Sequence, residues 1–83
     1  MMTIGYFKGY VYKHGTTTPL LGATVTASIG TTIYATYTTG SDGAYLLPVP
    51  GGTYTVTAAA TGYPTRTATL TVAGGGTTNY NFQ

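Results

Sequence analysis

The sequence predicts an all-β chain: a seven-stranded antiparallel Greek-key β-sandwich in a single domain, residues 1–83. Three observations predict it. Apolar residues alternate with hydroxyl residues at a period of two, as in Ala23-Thr24-Val25-Thr26-Ala27-Ser28-Ile29, which sets Val25, Ala27 and Ile29 on one side of a strand. Turn-forming residues interrupt this alternation at short, regular intervals. No window beyond about ten residues carries an apolar stripe at helical spacing, so no helix is predicted.

The elements follow in order from the punctuation. The first strand covers 4–14 and ends in the stretch from Gly15 to Gly22 that contains Pro19. The second and third, 23–29 and 32–38, flank Gly30-Thr31. Thr39-Gly40-Ser41-Asp42-Gly43 then leads to a fourth at 44–49, and its Asp-Gly pair marks a tight turn because Gly accepts positive φ. Pro50-Gly51-Gly52 precedes the fifth, 53–60, Thr61-Gly62-Tyr63-Pro64 the sixth, 65–72, and Gly74-Gly75-Gly76 the seventh, 77–82. Thr dominates these strands, being β-branched and suited to a pleated surface while its hydroxyl meets water or a partner. Sequential pairing with Greek-key links is the usual topology for seven such strands.

Composition bounds the core and removes whole function classes. Val, Ile, Leu and Phe supply only 15 of 83 residues, a level that signals disorder when net charge is high. Here the net charge is +2 and nine Tyr add large buriable rings, so a thinly cored but folded domain is expected. The charged residues are Lys8, Lys13, Arg66 and Asp42 alone, with one His and no Cys. That excludes disulfides, a structural zinc site and paired-carboxylate catalysis. Three cations make no phosphate-neutralising patch, so nucleic acid is not an expected partner. No run approaches the ~18 apolar residues of a membrane span. The start Met1-Met2-Thr3-Ile4-Gly5-Tyr6-Phe7-Lys8-Gly9 lacks the basic and apolar regions of a secretory leader, so the expected routes are cytoplasmic retention or incorporation into a particle.

The candidate catalytic constellation is Ser41 or Ser28 with His14 and Asp42. Ser41-Asp42 sits where such residues ordinarily bond their own backbone, and His14 falls in a Gly/Thr-rich loop, so no enzyme is expected. Asp42 with turn carbonyls is a poor calcium site, and Gly74-Gly75-Gly76 lacks the Lys and helix of a phosphate loop. No cofactor and no metal is expected.

Five segments resemble the carboxypeptidase regulatory-like domain in that family's order. Gly9-Tyr10-Val11 is similar to its opening G-x-V strand, and Thr18-Pro19-Leu20-Leu21-Gly22-Ala23-Thr24-Val25 to its T-P-L-x-G-A-x-V segment. Thr39 to Tyr45 resembles its T-D-x-x-G-x-Y turn, Pro50-Gly51-Gly52-Thr53-Tyr54-Thr55-Val56 its P-P-G-x-Y-x-V, and Ala60-Thr61-Gly62-Tyr63 its A-x-G-Y. The resemblance spans about residues 9–82 and implies a transthyretin-like sandwich acting as a non-catalytic module. Gly40 in place of the usual Asp and the extra residue at Gly51-Gly52 are departures confined to turns. The hydroxyisourate hydrolases share that sandwich, but their C-terminal Tyr-Arg-Gly-Ser is absent, since this chain ends Asn79-Tyr80-Asn81-Phe82-Gln83.

The exterior carries the functional expectation. The resemblance sets Gly9 and Val11 inward, which brings Phe7 inward and leaves Tyr6, Lys8, Tyr10 and Tyr12 on the opposite face. On the third strand Ile33, Ala35 and Tyr37 share one side and Tyr34 takes the other, outward one. Tyr6, Lys8, Tyr10, Tyr12 and Tyr34 are therefore the expected partner-binding residues, Tyr being enriched in interfaces; the competing reading is that the rings lie over small Thr and Ala neighbours. Charged residues make up only 5% of the chain, against the ~25% usual in a free domain. Lys8 and Lys13 are the only edge guards expected on the first strand. The expected function is a structural module packing onto a protein assembly (a capsid, tail or filament lattice) and onto copies of itself, located on a virion or extracellular surface. The alternatives are an extracellular carbohydrate-binding or adhesive module, and an ice-binding face built from Thr-x-Thr ladders. Residues 1–5 are a candidate arm for exchange with a neighbour's sheet edge.

Overall fold

Seven alternating segments become strands in the computed structural model, which describes residues 3–83. They are β1 (Ile4–Tyr10), β2 (Thr24–Ile29), β3 (Thr32–Thr38), β4 (Ala44–Pro50), β5 (Gly52–Ala60), β6 (Tyr63–Val72) and β7 (Thr77–Asn79). A three-stranded sheet of order β4-β1-β7 packs against a four-stranded sheet of order β3-β2-β5-β6. Hairpins join β2 to β3 and β5 to β6, while β1 pairs with the distant β4, so the links cross between sheets as in a Greek key.

One pair departs from the antiparallel expectation. β1 and β7 run parallel, from Tyr6 opposite Thr77 to Lys8 opposite Asn79. The crossover after β6 lands beside the start of β1: the Gly75 N–H donates to the Ile4 carbonyl and the Tyr6 N–H to the Gly76 carbonyl, both at 3.0 Å. β7 then has to leave in the same direction as β1.

The first strand stops at Tyr10 rather than residue 14, because the chain bends to serve other elements. Val11 donates to Gly43 at 2.8 Å and Lys13 to Thr18 at 2.8 Å. The seventh stops at Asn79 rather than residue 82, although the chain stays beside β1 through Tyr80 N–H to Lys8 and Phe82 N–H to Tyr10. At the break, the Asn81 side-chain Oδ1 takes the Tyr10 N–H at 3.0 Å in place of a backbone carbonyl.

The inward residues of both sheets close the core. Phe7, Val11, Val25, Ala27, Leu47, Val49 and Val56 are fully buried, and each large apolar side chain so placed contributes about 1.5–3 kcal/mol. Phe7 meets Tyr54 edge to face at 5.7 Å. The buried phenols find acceptors: Tyr45 donates to the Tyr80 carbonyl and Tyr54 to the Pro50 carbonyl, each at 2.6 Å. Ile29 differs from expectation. In the last pair before the Gly30 turn it extends past the core and is 47% exposed.

Both turn departures are absorbed locally. The Gly43 N–H closes the turn on the Gly40 carbonyl at 3.0 Å, and Asp42 Oδ1 accepts the Ala44 N–H at 3.1 Å. Gly51 lies against Gly74, where a Cβ would stand 2.6 Å from the Gly74 nitrogen.

Candidate functional site

Because β1 is the central strand of the three-stranded sheet, its outward side chains occupy the middle of a face. Ile4, Tyr6, Lys8 and Tyr10 point outward, opposite Pro50, Pro48, Leu46 and Ala44 on β4. On the other flank Thr77 and Asn79 stand opposite Tyr6 and Lys8. Tyr6, Tyr10 and Leu46 are 39%, 43% and 43% exposed, so the face is an uncovered apolar surface with Lys8 as its one cation among the described residues. Tyr12, beyond the strand end, is half-buried and stacks on Tyr10 with ring centres 6.0 Å apart and planes 20° apart. The outer face of the other sheet has a different chemistry. Thr36, Thr26, Thr57 and Thr67 lie side by side across its four strands, about 4.8 Å from strand to strand.

Two placements differ from the sequence expectation. Tyr34 does not join this face. The β2–β3 register shifts between Ala27 and Ser28, so that Ala27 opposes Ala35 while Ser28 opposes Ile33, and Tyr34 is the extra residue of a bulge. The bulge reverses the alternation: Ile33 goes outward at 64% exposure, and the Tyr34 ring, 46% exposed, stands edge-on to core Tyr54 at 5.3 Å. Lys8 is the second correction. With β4 on one side and β7 on the other it guards no edge, and Lys13 lies past the strand in a loop.

Asn79 and Asn81 are the contributors the sequence reading missed. With Lys8, Tyr10, Tyr12 and Tyr45 they line an open groove of about 450 Å³ at the C-terminal end of β1. Asn81 spends its carbonyl oxygen on the Tyr10 N–H, leaving the amide NH2 available as a donor. The Tyr45 phenol beside this groove is held well above the ordinary tyrosine range, first by burial and then by the neighbouring Tyr80. Tyr54 is raised by the same two causes, burial and then Tyr34.

The catalytic constellation is not assembled. No hydrogen bond joins His14 to Ser28, Ser41 or Asp42 among the described residues; Asp42 serves its turn, and the Ser28 hydroxyl points to the Thr55 carbonyl at 3.4 Å. No cluster of three metal-ligating side chains occurs among the described residues. The N-terminal segment is engaged within its own chain: Ile4 and Gly5 pair with Pro50 and Val49, and the Thr3 carbonyl accepts the Gly51 N–H at 3.4 Å. Met1 and Met2 of the candidate arm lie outside the described residues.

The model of the carboxypeptidase regulatory-like domain family matches residues 7–83. Among solved structures, the dioxygenase domain of a dioxygenase carbohydrate-binding protein fusion from Streptomyces sp. SirexAA-E superposes with a TM-score of 0.72 at 19% identity, covering 99% of this chain and 79% of that one. A DUF3823 family protein from Parabacteroides merdae superposes with a TM-score of 0.61 at 17% identity, covering 98% of this chain and 45% of that one. At these identities the likeness is one of fold. No curated protein matches the chain.

Proposed function

The chain belongs to the carboxypeptidase regulatory-like domain family, a non-catalytic module, and from that premise we propose that it packs onto a repeating protein assembly through the outer face of β4-β1-β7. The assembly is a virion capsid or tail, or a surface filament, and the chain is not an enzyme. One observation carries this reading: Tyr6, Tyr10 and Leu46 stand exposed at the centre of a sheet face, flanked by Ile4, Pro48 and Tyr12, with a single charge among them. Large rings removed from water at the middle of an interface supply most of its energy, and Tyr is among the types that do so. Lys8 gives orientation and a modest attraction to an anionic partner. Tyr34, on β3 of the other sheet, takes no part in that contact.

The reading is tested by replacing Tyr6, Tyr10 and Tyr12 with Ser. The variant folds, because none of the three belongs to the buried core, and it no longer co-purifies with the assembly. Full occupancy of particles by the triple variant overturns the proposal.

The groove favours a second reading, an extracellular carbohydrate-binding or adhesive module. A stacked Tyr10–Tyr12 pair beside the Asn79 and Asn81 amides presents both an aromatic wall and hydrogen-bonding groups to a sugar ring. A glycan array on the isolated domain separates the two: binding that is lost on Asn81→Ala supports the sugar site, and a blank array removes it.

A further inference from the structure

Among the described residues the sandwich has four edge strands, and three are closed to pairing. β4 carries Pro48 and Pro50, which lack the N–H a ladder needs. β7 is three residues long. β3 is bent by the bulge at Tyr34. The fourth edge, β6, has none of these devices. From Arg66 to Val72 it pairs with β5 without a break, opposite Ala58 down to Gly52, and its only charge is Arg66. Those seven residues extend roughly 23 Å, at about 3.3 Å each.

The hydrogen bonds show which backbone groups of β6 are free. In an antiparallel ladder, alternate residues turn both N–H and C=O toward the partner and the others turn both away. The Thr71 carbonyl points away from β5, since it accepts the Thr78 hydroxyl at 2.7 Å. Thr67 and Thr69 share its parity. Among the described residues no backbone bond from any element other than β5 reaches them. On the inward side, Ala68 and Leu70 stay half-buried, because the facing sheet is one strand narrower.

We propose that β6 is a self-pairing edge, joining a second copy of this chain through an antiparallel β6–β6 ladder centred on Ala68. About that centre, Thr67 of each copy opposes Thr69 of the other, and both have N–H and C=O aimed outward, which makes four backbone hydrogen bonds. Arg66 opposes Leu70, so the two guanidinium groups are not brought together. Threonines meet threonines on the outer face and Ala68 meets Ala68 inside, so the sequence is complementary to itself without any change of register. The two four-stranded sheets become one of eight, and the half-buried Ala68 and Leu70 gain apolar neighbours. A second copy fits this edge better than a charged partner strand, because β6 offers no carboxylate and one cation. The proposal does not depend on the tyrosine face, and its test is distinct.

The test is sedimentation equilibrium on the full chain, with native mass spectrometry to identify mixed species. Wild type dimerises. Thr67→Lys with Thr69→Lys places like charges directly opposite one another and weakens dimerisation about tenfold or more, with circular dichroism unchanged because both sites are exposed. Thr67→Glu with Thr69→Glu does the same alone, and mixing the Lys and Glu variants restores dimers as a heterodimer. The Tyr6/Tyr10/Tyr12→Ser variant keeps the wild-type dimer. Should the Lys variant misfold, amide exchange on the wild type decides: the Thr67 and Thr69 N–H groups gain protection as concentration rises. A monomeric wild type, a Lys variant that dimerises as tightly as wild type, loss of dimer in the Tyr variant, or exchange at Thr67 and Thr69 that ignores concentration each overturns the proposal.

Discussion

Among the described residues Thr39 is the one buried polar residue of the core, and its loss should be felt more than that of any surface threonine. The residue is 2% exposed. Its hydroxyl donates to the Leu20 carbonyl at 2.6 Å and accepts the Ala23 N–H at 3.0 Å. Its backbone adds two more bonds, donating from N–H to the Ala23 carbonyl at 2.9 Å and accepting the Gly22 N–H at 3.0 Å. The turn after residue 20 is thus pinned to the end of β3 by one side chain. Thr39→Val preserves shape and leaves a carbonyl and an N–H unpaired in the interior. Each orphan costs about 1–3 kcal/mol, and because the backbone pair remains and can relax, about 2–4 kcal/mol in total is expected. That is a large part of the roughly 4–12 kcal/mol available to a domain of this size. In a thermal melt it lowers Tm by roughly 8–32 °C, at about 4–8 °C per kcal/mol. Thr39→Ser keeps both bonds and removes a methyl, costing about 1 kcal/mol. Urea unfolding of the two variants separates the effects. A Val variant as stable as wild type, or a Ser variant as damaged as Val, refutes the account of the hydroxyl as a clamp.

Gly9→Ala should detach the C-terminal segment, since a Cβ there would sit on the Tyr80 carbonyl oxygen and 2.9 Å from Asn81 Oδ1; amide exchange at Tyr80 and Phe82 should rise sharply, and unchanged protection contradicts this. Alkali should unfold the protein cooperatively. The Tyr45 and Tyr54 phenols ionise above their unfolded value of 10.0, so the folded state holds protons the unfolded state has lost. Stability is then intact below pH 10 and falls as pH rises past it. Tyrosinate absorbance and circular dichroism should show these two phenols titrating only together with loss of structure, and a Tyr45→Phe variant should be less sensitive to alkali.

Much of the fold was legible because period-two alternation and turn chemistry are local properties. Residues 24–29 and 53–58 announce their strands, and Asp42-Gly43 forms the turn its sequence demands. The outward set Tyr6, Lys8, Tyr10 was readable for the same reason once Phe7 and Val11 were placed inward. Tyr34 was not. A bulge inserts one residue into the alternation and leaves no mark in the sequence, so Ile33 beyond it takes the outer side, while Ala35 and Tyr37 keep the inward side expected of them, opposite buried Ala27 and Val25. The parallel β1–β7 pair depends on where the crossover from β6 lands, which is a property of both sheets together. Lys8 looked like an edge guard because sequence position does not say which strand ends up in the middle. Asn79 and Asn81 join Tyr10 and Tyr12 only through that same parallel pairing, some seventy residues away along the chain.

The claim that a partner covers the tyrosine face is most directly tested by chemical nitration of tyrosines, read by peptide mass spectrometry, on the chain as isolated and as recovered with its native neighbours. Protection of Tyr6 and Tyr10 in the native material, with ready modification of both in the isolated domain, is the predicted result. Equal reactivity of the two rings in both preparations would contradict it.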